Sequence, residues 1–349
     1  MSARFQPLFG GRHLAQWIRA GGKPQRRVVC YSQRLRWHAY WFEYNWRHQL
    51  EQLGTFRLPE DPVFILGLWR SGTTVLHELL AATSHWYTPQ TWQCFNPSTC
   101  FQTAAPPSTA SSHRPMDQGI ISTDSPQEDE FALLLFGEPS IYRGFIDPRR
   151  LRECGQELWR GSSTDLGHWQ AFLSGGLQSS SSNQLLLKSP SHTFRLPLLR
   201  SLFPRARFVW IGRHLGEVLA SNRRMWREMT DRYALWERSE DTLEGFLQEM
   251  LQATHNVLTQ CLDEMSPEQL LWVDFDQLRV EPRRVMQRVL QFLRPDKPPE
   301  GLERALERVP IHAGSRAQAL EDPSAQRVEQ LMTAARNRFE HGSGHSLRD

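Results

Sequence analysis

Residues 62–82 constrain the fold of this chain more than any other part of its 349 residues. They read PVFILGLWRSGTTVLHELLAA: an apolar run, then a turn rich in Gly, Ser and Thr, then a helical pattern. A buried strand that turns directly into a helix presents backbone N–H groups and a helix N-terminus to an anion. The segment therefore predicts a loop that binds a phosphate or a similar group.

This loop departs at one position from the nucleotide triphosphatase pattern G-x-x-x-x-G-K-[ST]. Gly67 and Gly72 have the required spacing, but Thr73 stands where that pattern has its lysine. The cation within the loop is Arg70, two residues before Gly72. Because the lysine that binds β- and γ-phosphates is missing, the loop points away from ATP and towards another phosphorylated donor.

Apolar strands alternate with helices over the rest of the chain. We predict an aromatic-rich helix at 31–53, strands at 184–188, 207–212 and 270–273, and helices at 193–202, 214–229, 240–264 and 282–293. This alternation indicates an α/β fold with a central parallel sheet in a three-layer, P-loop-like arrangement. Ligands of such sheets bind beyond the carboxyl ends of the strands. Arg70, Lys188 and Arg213 all lie at or just after such ends, so three cations are expected at one edge.

Several motifs in this order resemble a known family. They are RSGTT at 70–74, KSPSH at 188–192, FVWIGR at 208–213 and VLAS at 218–221. Together they resemble the sulfotransferases that use 3′-phosphoadenosine 5′-phosphosulfate (PAPS), most of all the bacterial, tyrosylprotein-sulfotransferase-like branch. The resemblance covers residues 61–293.

The resemblance implies roles for the matching residues. In the 5′-phosphosulfate loop, the donor would be held by Arg70 and by the N–H groups of Ser71, Gly72, Thr73 and Thr74. Arg213 and Ser221 would bind the 3′-phosphate. Lys188 would neutralise the bridging and leaving oxygens, so that two cations act without a metal ion. Sulfuryl transfer, like phosphoryl transfer, depends mainly on such positioning and charge neutralisation.

The general base is less clear from the sequence. An acceptor hydroxyl loses a proton as it attacks sulfur, so a carboxylate or imidazole is needed within reach. Tyrosylprotein-type members have a glutamate after the first helix, but residues 87–93 here contain no carboxylate. The replacements are His192, four residues after Lys188, or one of three acids of the 124–130 segment, Glu128, Asp129 and Glu130. His77, three residues after Thr74, is a further candidate.

The acidic segment also carries a local structural signal. Ser125, Pro126 and Glu128 have the spacing of a capping box with proline at the first helical position. We predict that a helix begins there and ends at Gly137. Residues 97–126, rich in Pro and Ser, are expected to form no regular element and to be a long loop near the acceptor site.

Composition supports an ordinary globular protein, with 39% hydrophobic residues, 23% charged residues and a net charge of +3. This charge does not indicate nucleic acid. The chain has eight Lys or Arg but no acidic residue before Glu43, which leaves two alternatives for this arm: a solvated extension or a peripheral contact with an anionic membrane. Scattered cysteines and the lack of a signal-peptide pattern favour a cytoplasmic location.

The expected organisation is a basic, aromatic-rich helical extension over 1–60, a sulfotransferase domain over 61–300 and a helical tail over 301–349. The acceptor is predicted to be a small molecule, or a glycan or lipid hydroxyl. Two other functions compete: a P-loop kinase for a small metabolite, which would need a Walker lysine and a magnesium ligand, and a nucleotide-binding module without catalysis.

Overall fold

The computed structural model describes residues 31–53, 57–83, 86–103, 112–113, 119–161, 166–182, 184–295, 301–311 and 322–340, with the side chains of 31–39 and 112–113 left aside. The elements before the second buried strand are α1 (Tyr31–Leu53), β1 (Val63–Leu66), α2 (Thr73–Ala81), α3 (Thr91–Phe95), β2 (Ser112–His113), β3 (Ile120–Ile121), α4 (Glu130–Phe136), two short 3-10 helices (Ile141–Phe145 and Pro148–Arg150), α5 (Leu151–Trp159) and α6 (Gly167–Gln178).

The chain continues with a second set of strands and helices. These are β4 (Leu186–Lys188), α7 (Pro190–Phe194), α8 (Leu196–Leu202), β5 (Arg207–Gly212), α9 (Leu215–Tyr233), α10 (Glu240–Glu264), β6 (Leu270–Asp274), α11 (Phe275–Val280), α12 (Pro282–Leu293), α13 (Leu302–Arg308) and α14 (Pro323–Phe339).

The central sheet has the order β4-β1-β5-β6, and every neighbouring pair is parallel. Ile65 lies opposite Lys188 in one pair and opposite Val209 in the other, so these residues share one face of the sheet. All four carboxyl ends therefore lie at one edge. The predicted α/β fold with a parallel sheet is confirmed.

The two faces of this sheet bury different side chains. The first face packs on α2, α12 and α13 through a cluster that includes Ile65, Leu76, Val209 and Val289. The other face is aromatic, with the Phe64 ring 5.6 Å from the Phe208 ring and 5.9 Å from the Phe203 ring. Alternation along the strands therefore decides on which side each functional residue lies.

The described chain divides into two compact units. One contains the chain up to Leu58 together with Pro89–Ser179 and Met225–Gly245, and the other contains Pro59–Thr88, Ser180–Arg224 and the chain from Phe246. The four-stranded sheet belongs to the second unit. The predicted domain boundaries at 60 and 300 stay a prediction.

Three local predictions were wrong. The 97–126 segment contains the short antiparallel pair of β2 and β3, because its prolines lie outside both two-residue strands. The acidic helix α4 begins at Glu130, since the Ser125 hydroxyl bonds within its own turn, to the Ser122 N–H at 3.0 Å, rather than capping the helix. The single helix predicted over 193–202 is instead two short helices, α7 and α8, and α7 begins at Pro190, where the Ser189 side chain caps it.

Helix α1 has the predicted bounds. Its packed face contains the buried Trp46 and Gln49 and the partly buried Phe42, whereas Tyr40, Trp41 and Tyr44 are exposed. Most of the basic arm, residues 1–30, lies outside the described residues. Within the described ranges, no helix is both long and apolar enough to cross a bilayer.

Candidate functional site

The loop between β1 and α2 has a backbone that few residue types can adopt. Gly67 and Gly72 have φ angles of 144° and 105°, and Arg70 has a φ of 73°. Arg70 is the single non-glycine residue with positive φ among those described. This conformation costs about 1–2 kcal/mol for a residue with a Cβ atom. Such strain is typical of a functional loop, where the surrounding structure holds it in place.

Side chains from two other elements hold the loop backbone. The Thr193 hydroxyl accepts from Gly67 N–H at 2.9 Å and donates to Gly67 C=O at 3.0 Å. The Asn222 amide donates to the Trp69 C=O at 2.7 Å. Both Thr193 and Asn222 are fully buried. Hydrogen bonds to the Gly67 and Trp69 carbonyls hold oxygens that would repel an anion. The backbone N–H groups at the start of α2, which have no partner within the helix, can then bind an anion.

Lys188 reaches this loop from the end of the neighbouring strand. Its Nζ donates to the Thr74 Oγ1 at 3.3 Å, although the residue is only 3% exposed. The ammonium therefore lies at the N-terminal turn of α2. A cation here complements an anion held by the loop, and it lies on the sheet face that packs on α2.

His77 is buried on the same face, one turn further along α2. Its Nε2 lies 2.6 Å from Thr88 Oγ1. Burial, and secondly the positive charge of Lys188, lower the pKa of His77 well below its ordinary value. The imidazole is therefore neutral at neutral pH.

Arg213 and Ser221 lie at the end of β5 and along α9. The Arg213 guanidinium lies 4.9 Å from the centre of the Phe275 ring and donates to the Glu217 carboxylate. Ser221 accepts from the Arg70 Nε at 3.1 Å. The structure thus brings the two predicted subsites together, because Arg70 of the loop contacts Ser221 directly.

Phe275 packs between the two subsites. A Cβ atom added to Gly72 would lie 2.3 Å from the Phe275 ring, the same ring that carries the Arg213 guanidinium. Within the part of the chain that the structure describes, two buried donors, Ser71 Oγ and Arg213 Nε, make no hydrogen bond. Buried donors of this kind are costly unless an acceptor satisfies them.

The candidates for the base are buried or hydrogen-bonded within their own units. His192 is buried against Phe64, with ring centres 5.5 Å apart, on the face opposite to that of Lys188. Glu128 and Asp129 belong to the other unit. There, Glu128 accepts a hydrogen bond from the Tyr142 hydroxyl, and Asp129, fully buried, accepts one from the Trp169 indole at 2.6 Å.

Sequence reasoning missed Thr193, Asn222 and Phe275. Thr193 directly follows His192, and Asn222 directly follows Ser221, so each adjoins a residue that the sequence indicated as a candidate for the site. Their types are ordinary for a helix, and no spacing distinguishes them. Among the described residues, no group of His, Cys, Asp or Glu has an arrangement that could hold a metal ion.

Comparison with known proteins gives one family. A family model described as "Sulfotransferase family" matches residues 62–298. Two curated relatives, both named omega-hydroxy-beta-dihydromenaquinone-9 sulfotransferase Stf3, come from Mycobacterium bovis and Mycobacterium tuberculosis. Each is 29% identical over 249 residues, which is 68% of this chain but only 63% of the relative's length.

Solved structures agree on the fold. Sulfotransferase STF9 from Mycobacterium avium superposes with a TM-score of 0.60 at 19% identity, covering 89% of this chain and 84% of that protein. Sulfotransferase STF1 from Mycobacterium tuberculosis H37Rv gives a TM-score of 0.62 at 14% identity, covering 94% of this chain and 90% of that protein. At such identities the likeness shows the fold alone.

Proposed function

Because this chain belongs to the sulfotransferase family, we propose that it transfers the sulfuryl group of PAPS to an acceptor hydroxyl by in-line displacement. The acceptor oxygen forms a bond to sulfur while the bond from sulfur to the bridging oxygen breaks. The products are a sulfate ester and 3′-phosphoadenosine 5′-phosphate, and the hydroxyl proton passes to a base. One observation carries the proposal: Lys188 Nζ lies 3.3 Å from Thr74 at the start of the helix that follows the anion-binding loop.

The residues present fit this donor. Ser71 Oγ and Arg213 Nε are buried donors for which oxygens of a phosphate or sulfate are natural acceptors. The positions of Arg70 and Lys188 suit the phosphosulfate, where charge grows on the leaving oxygen. Arg213 and Ser221 suit the 3′-phosphate. No step requires a metal ion.

Three residues are proposed for the base: His192, Glu128 and Asp129. The variants His192→Ala, Glu128→Gln and Asp129→Asn decide among them. Only loss of the transfer step with donor binding retained identifies the base, since loss of both reports a damaged fold. Normal transfer in all three variants would overturn this part of the proposal.

The acceptor is proposed to be an apolar alcohol, with a lipid hydroxyl as the first choice. The curated relatives are named after an omega-hydroxy menaquinone, which is such an alcohol. We also propose a cytoplasmic location, because the buried residues Cys94, Cys100, Cys154 and Cys261 form no disulfide with one another, as expected in a reducing compartment. The basic residues before Glu43 are proposed to favour peripheral contact with an anionic membrane.

The test is transfer of ³⁵S from labelled PAPS to a panel of phenols, sterols, hydroxylated quinones, sugars and peptides. We expect labelled product with an apolar alcohol and saturable binding of 3′-phosphoadenosine 5′-phosphate without magnesium. Binding without turnover on any acceptor would favour the non-catalytic module. Binding of ATP with magnesium in its place would favour the kinase.

A further inference from the structure

Three aromatic side chains are exposed side by side on helix α1. Tyr40, Trp41 and Tyr44 are 62%, 52% and 52% exposed. Their rings touch edge to face, with centres 6.0 Å apart for Tyr40 and Trp41 and 5.8 Å apart for Trp41 and Tyr44. We call these three residues the aromatic patch. Single exposed apolar residues are normal, but a contiguous group indicates an interaction site.

The opposite side of α1 fixes this patch in its exposed orientation. Trp46 is 2% exposed, and its ring lies 4.6 Å from that of Phe136 in α4. Phe42 packs on Phe136 as well, and Gln49 donates to the Pro97 C=O at 2.9 Å. At 100° per residue, Phe42, Trp46 and Gln49 lie on the side of the helix away from the patch. The patch cannot turn inwards without breaking these contacts.

The residue types in the patch suit the interface of a lipid bilayer. Tyr and Trp combine an apolar ring with a hydroxyl or indole N–H, and they concentrate at the headgroup level of membranes. A purely apolar contact would favour Leu, Ile or Phe instead. The patch therefore matches the boundary between the apolar acyl chains of a bilayer and its hydrated headgroups.

The charges around the patch select the kind of bilayer. Arg36 lies one turn before Tyr40 in the same helix, and eight Lys or Arg with no acidic residue precede Glu43. The first acid, Glu43, is engaged by Arg47 at 3.0 Å. Cations of this density favour a surface that carries anionic headgroups. A charge-depleted interface between protein copies would instead exclude them.

We propose that the aromatic patch docks this protein on an anionic lipid bilayer, with Tyr40, Trp41 and Tyr44 in the headgroup region. The inference extends the proposed peripheral contact from a run of charges to a defined surface. Its test does not depend on sulfuryl transfer.

The experiment is flotation of the full chain with phosphatidylcholine vesicles, with and without phosphatidylglycerol, at low and high salt. The test variant is Tyr40→Ser/Trp41→Ser/Tyr44→Ser. The matched control is Ile120→Ser/Leu202→Ser/Val280→Ser, which removes the other large apolar residues exposed in the described chain. Both triple variants leave the buried stripe of α1 intact, and thermal melting confirms that each is folded.

We expect wild type and control to float with the anionic vesicles and the patch variant to bind at least about tenfold more weakly. Binding of 3′-phosphoadenosine 5′-phosphate is expected to be unchanged in all three proteins, which separates failure of this proposal from failure of the donor site. Equal flotation of the patch variant and wild type, or no flotation of wild type, would overturn the proposal. So would a concentration-dependent dimer of wild type that the patch variant abolishes, because the patch would then bind a second copy.

Discussion

The donor loop, residues 67–74, and the acidic segment, residues 124–130, both drew attention in the sequence, but different forces hold them. The loop adopts positive φ at Gly67, Arg70 and Gly72, and buried side chains from α7 and α9 fix its backbone. In the acidic segment, the carboxylates of Glu128 and Asp129 accept hydrogen bonds from a tyrosine and a tryptophan of their own unit.

This difference shows which kind of motif specifies chemistry. An anion-binding loop needs a backbone shape, so it constrains residue types over a whole stretch of sequence. Acids before a helix serve the helix dipole and local bonds equally well, whether or not they meet a substrate. The sequence of the loop is therefore enough to propose an anion site, whereas the sequence of the acidic segment fits a structural role and a catalytic role equally well.

The largest expected effect is on transfer by variants of the two cations. Lys188→Ala and Arg70→Gly are each expected to lower kcat about 10²–10³-fold, the usual cost of losing one group that stabilises transition-state charge. Glycine is chosen at position 70 because it accepts the φ of 73°. Arg70→Ala should lose as much activity but be about 1 kcal/mol less stable than Arg70→Gly. Near-normal rates for both cation variants would remove the loop from the mechanism.

Gly72→Ala tests the backbone requirement of the loop. The new Cβ would lie 2.3 Å from the Phe275 ring at a φ of 105°. Strain and overpacking together are expected to cost about 2–4 kcal/mol of unfolding free energy, measured by urea denaturation. The control is Gly161→Ala, which has a φ of 59° and open space around it, and should cost about 1 kcal/mol. Equal losses of unfolding free energy in Gly72→Ala and Gly161→Ala would mean that the Phe275 ring moves aside for the new Cβ and that the loop is not tightly packed.

A double-mutant cycle between Asp129 and Trp169 tests the acidic segment. The 2.6 Å bond to a buried carboxylate is expected to give a coupling of about 1.5–3 kcal/mol in unfolding free energy. If Asp129 serves only this structural contact, Asp129→Asn and Trp169→Phe should change transfer by similar factors. A rate lost in Asp129→Asn but kept in Trp169→Phe would make Asp129 a catalytic residue and bring the two regions together.

Thr193→Val removes one hydroxyl while keeping the volume of the side chain. Because that hydroxyl bonds both the N–H and the C=O of Gly67, the loop should lose its shape and bind 3′-phosphoadenosine 5′-phosphate about tenfold more weakly, or about 1.4 kcal/mol. Thr193→Ser retains the bonds and is expected to bind as wild type, by calorimetry. If Val and Ser behave alike, the hydroxyl does not position the loop.

The smallest effect at neutral pH is expected for His77. Its pKa is lowered in the folded protein, so the unfolded chain takes up the proton first as the pH falls. Stability is then fully present above the unfolded pKa of 6.5 and falls below it by up to about 1.4 kcal/mol per pH unit. The melting temperature of wild type should therefore drop more between pH 7 and pH 5 than that of His77→Gln. Parallel curves would show that His77 is not the group that titrates.

Periodicity in the sequence was enough to predict the long elements. The bounds of β5, α10 and α12 match the predictions because each has an unbroken pattern of one period, and the bounds of α1 match as well. The meeting of Arg70, Lys188 and Arg213 at one edge followed from the parallel sheet alone. Their assigned roles in the reaction stay predictions.

Other features depend on tertiary contacts that leave no pattern. The face on which His192 lies is set by the turn of α7 after β4, which spacing from Lys188 does not reveal. Helix α1 carries aromatic residues on several sides, so its sequence did not show that Trp46 would be buried and Trp41 exposed. Thr193 and Asn222 each hold the loop through one polar group, a hydroxyl and an amide. Only the folded chain shows that these groups bond to the backbone of Gly67 and Trp69.

The position of β1 in the sheet has a consequence for biosynthesis. Its two neighbours, β4 and β5, come from much later in the chain, and the Gly67–Thr193 bond spans 126 residues. Contacts of this range form late, because the intervening chain must first be ordered. On the ribosome, the loop sequence therefore emerges long before the loop can exist. If the loop binds the proposed donor, that ligand can stabilise only chains whose sheet is complete, so it would favour fully folded molecules over partly folded ones.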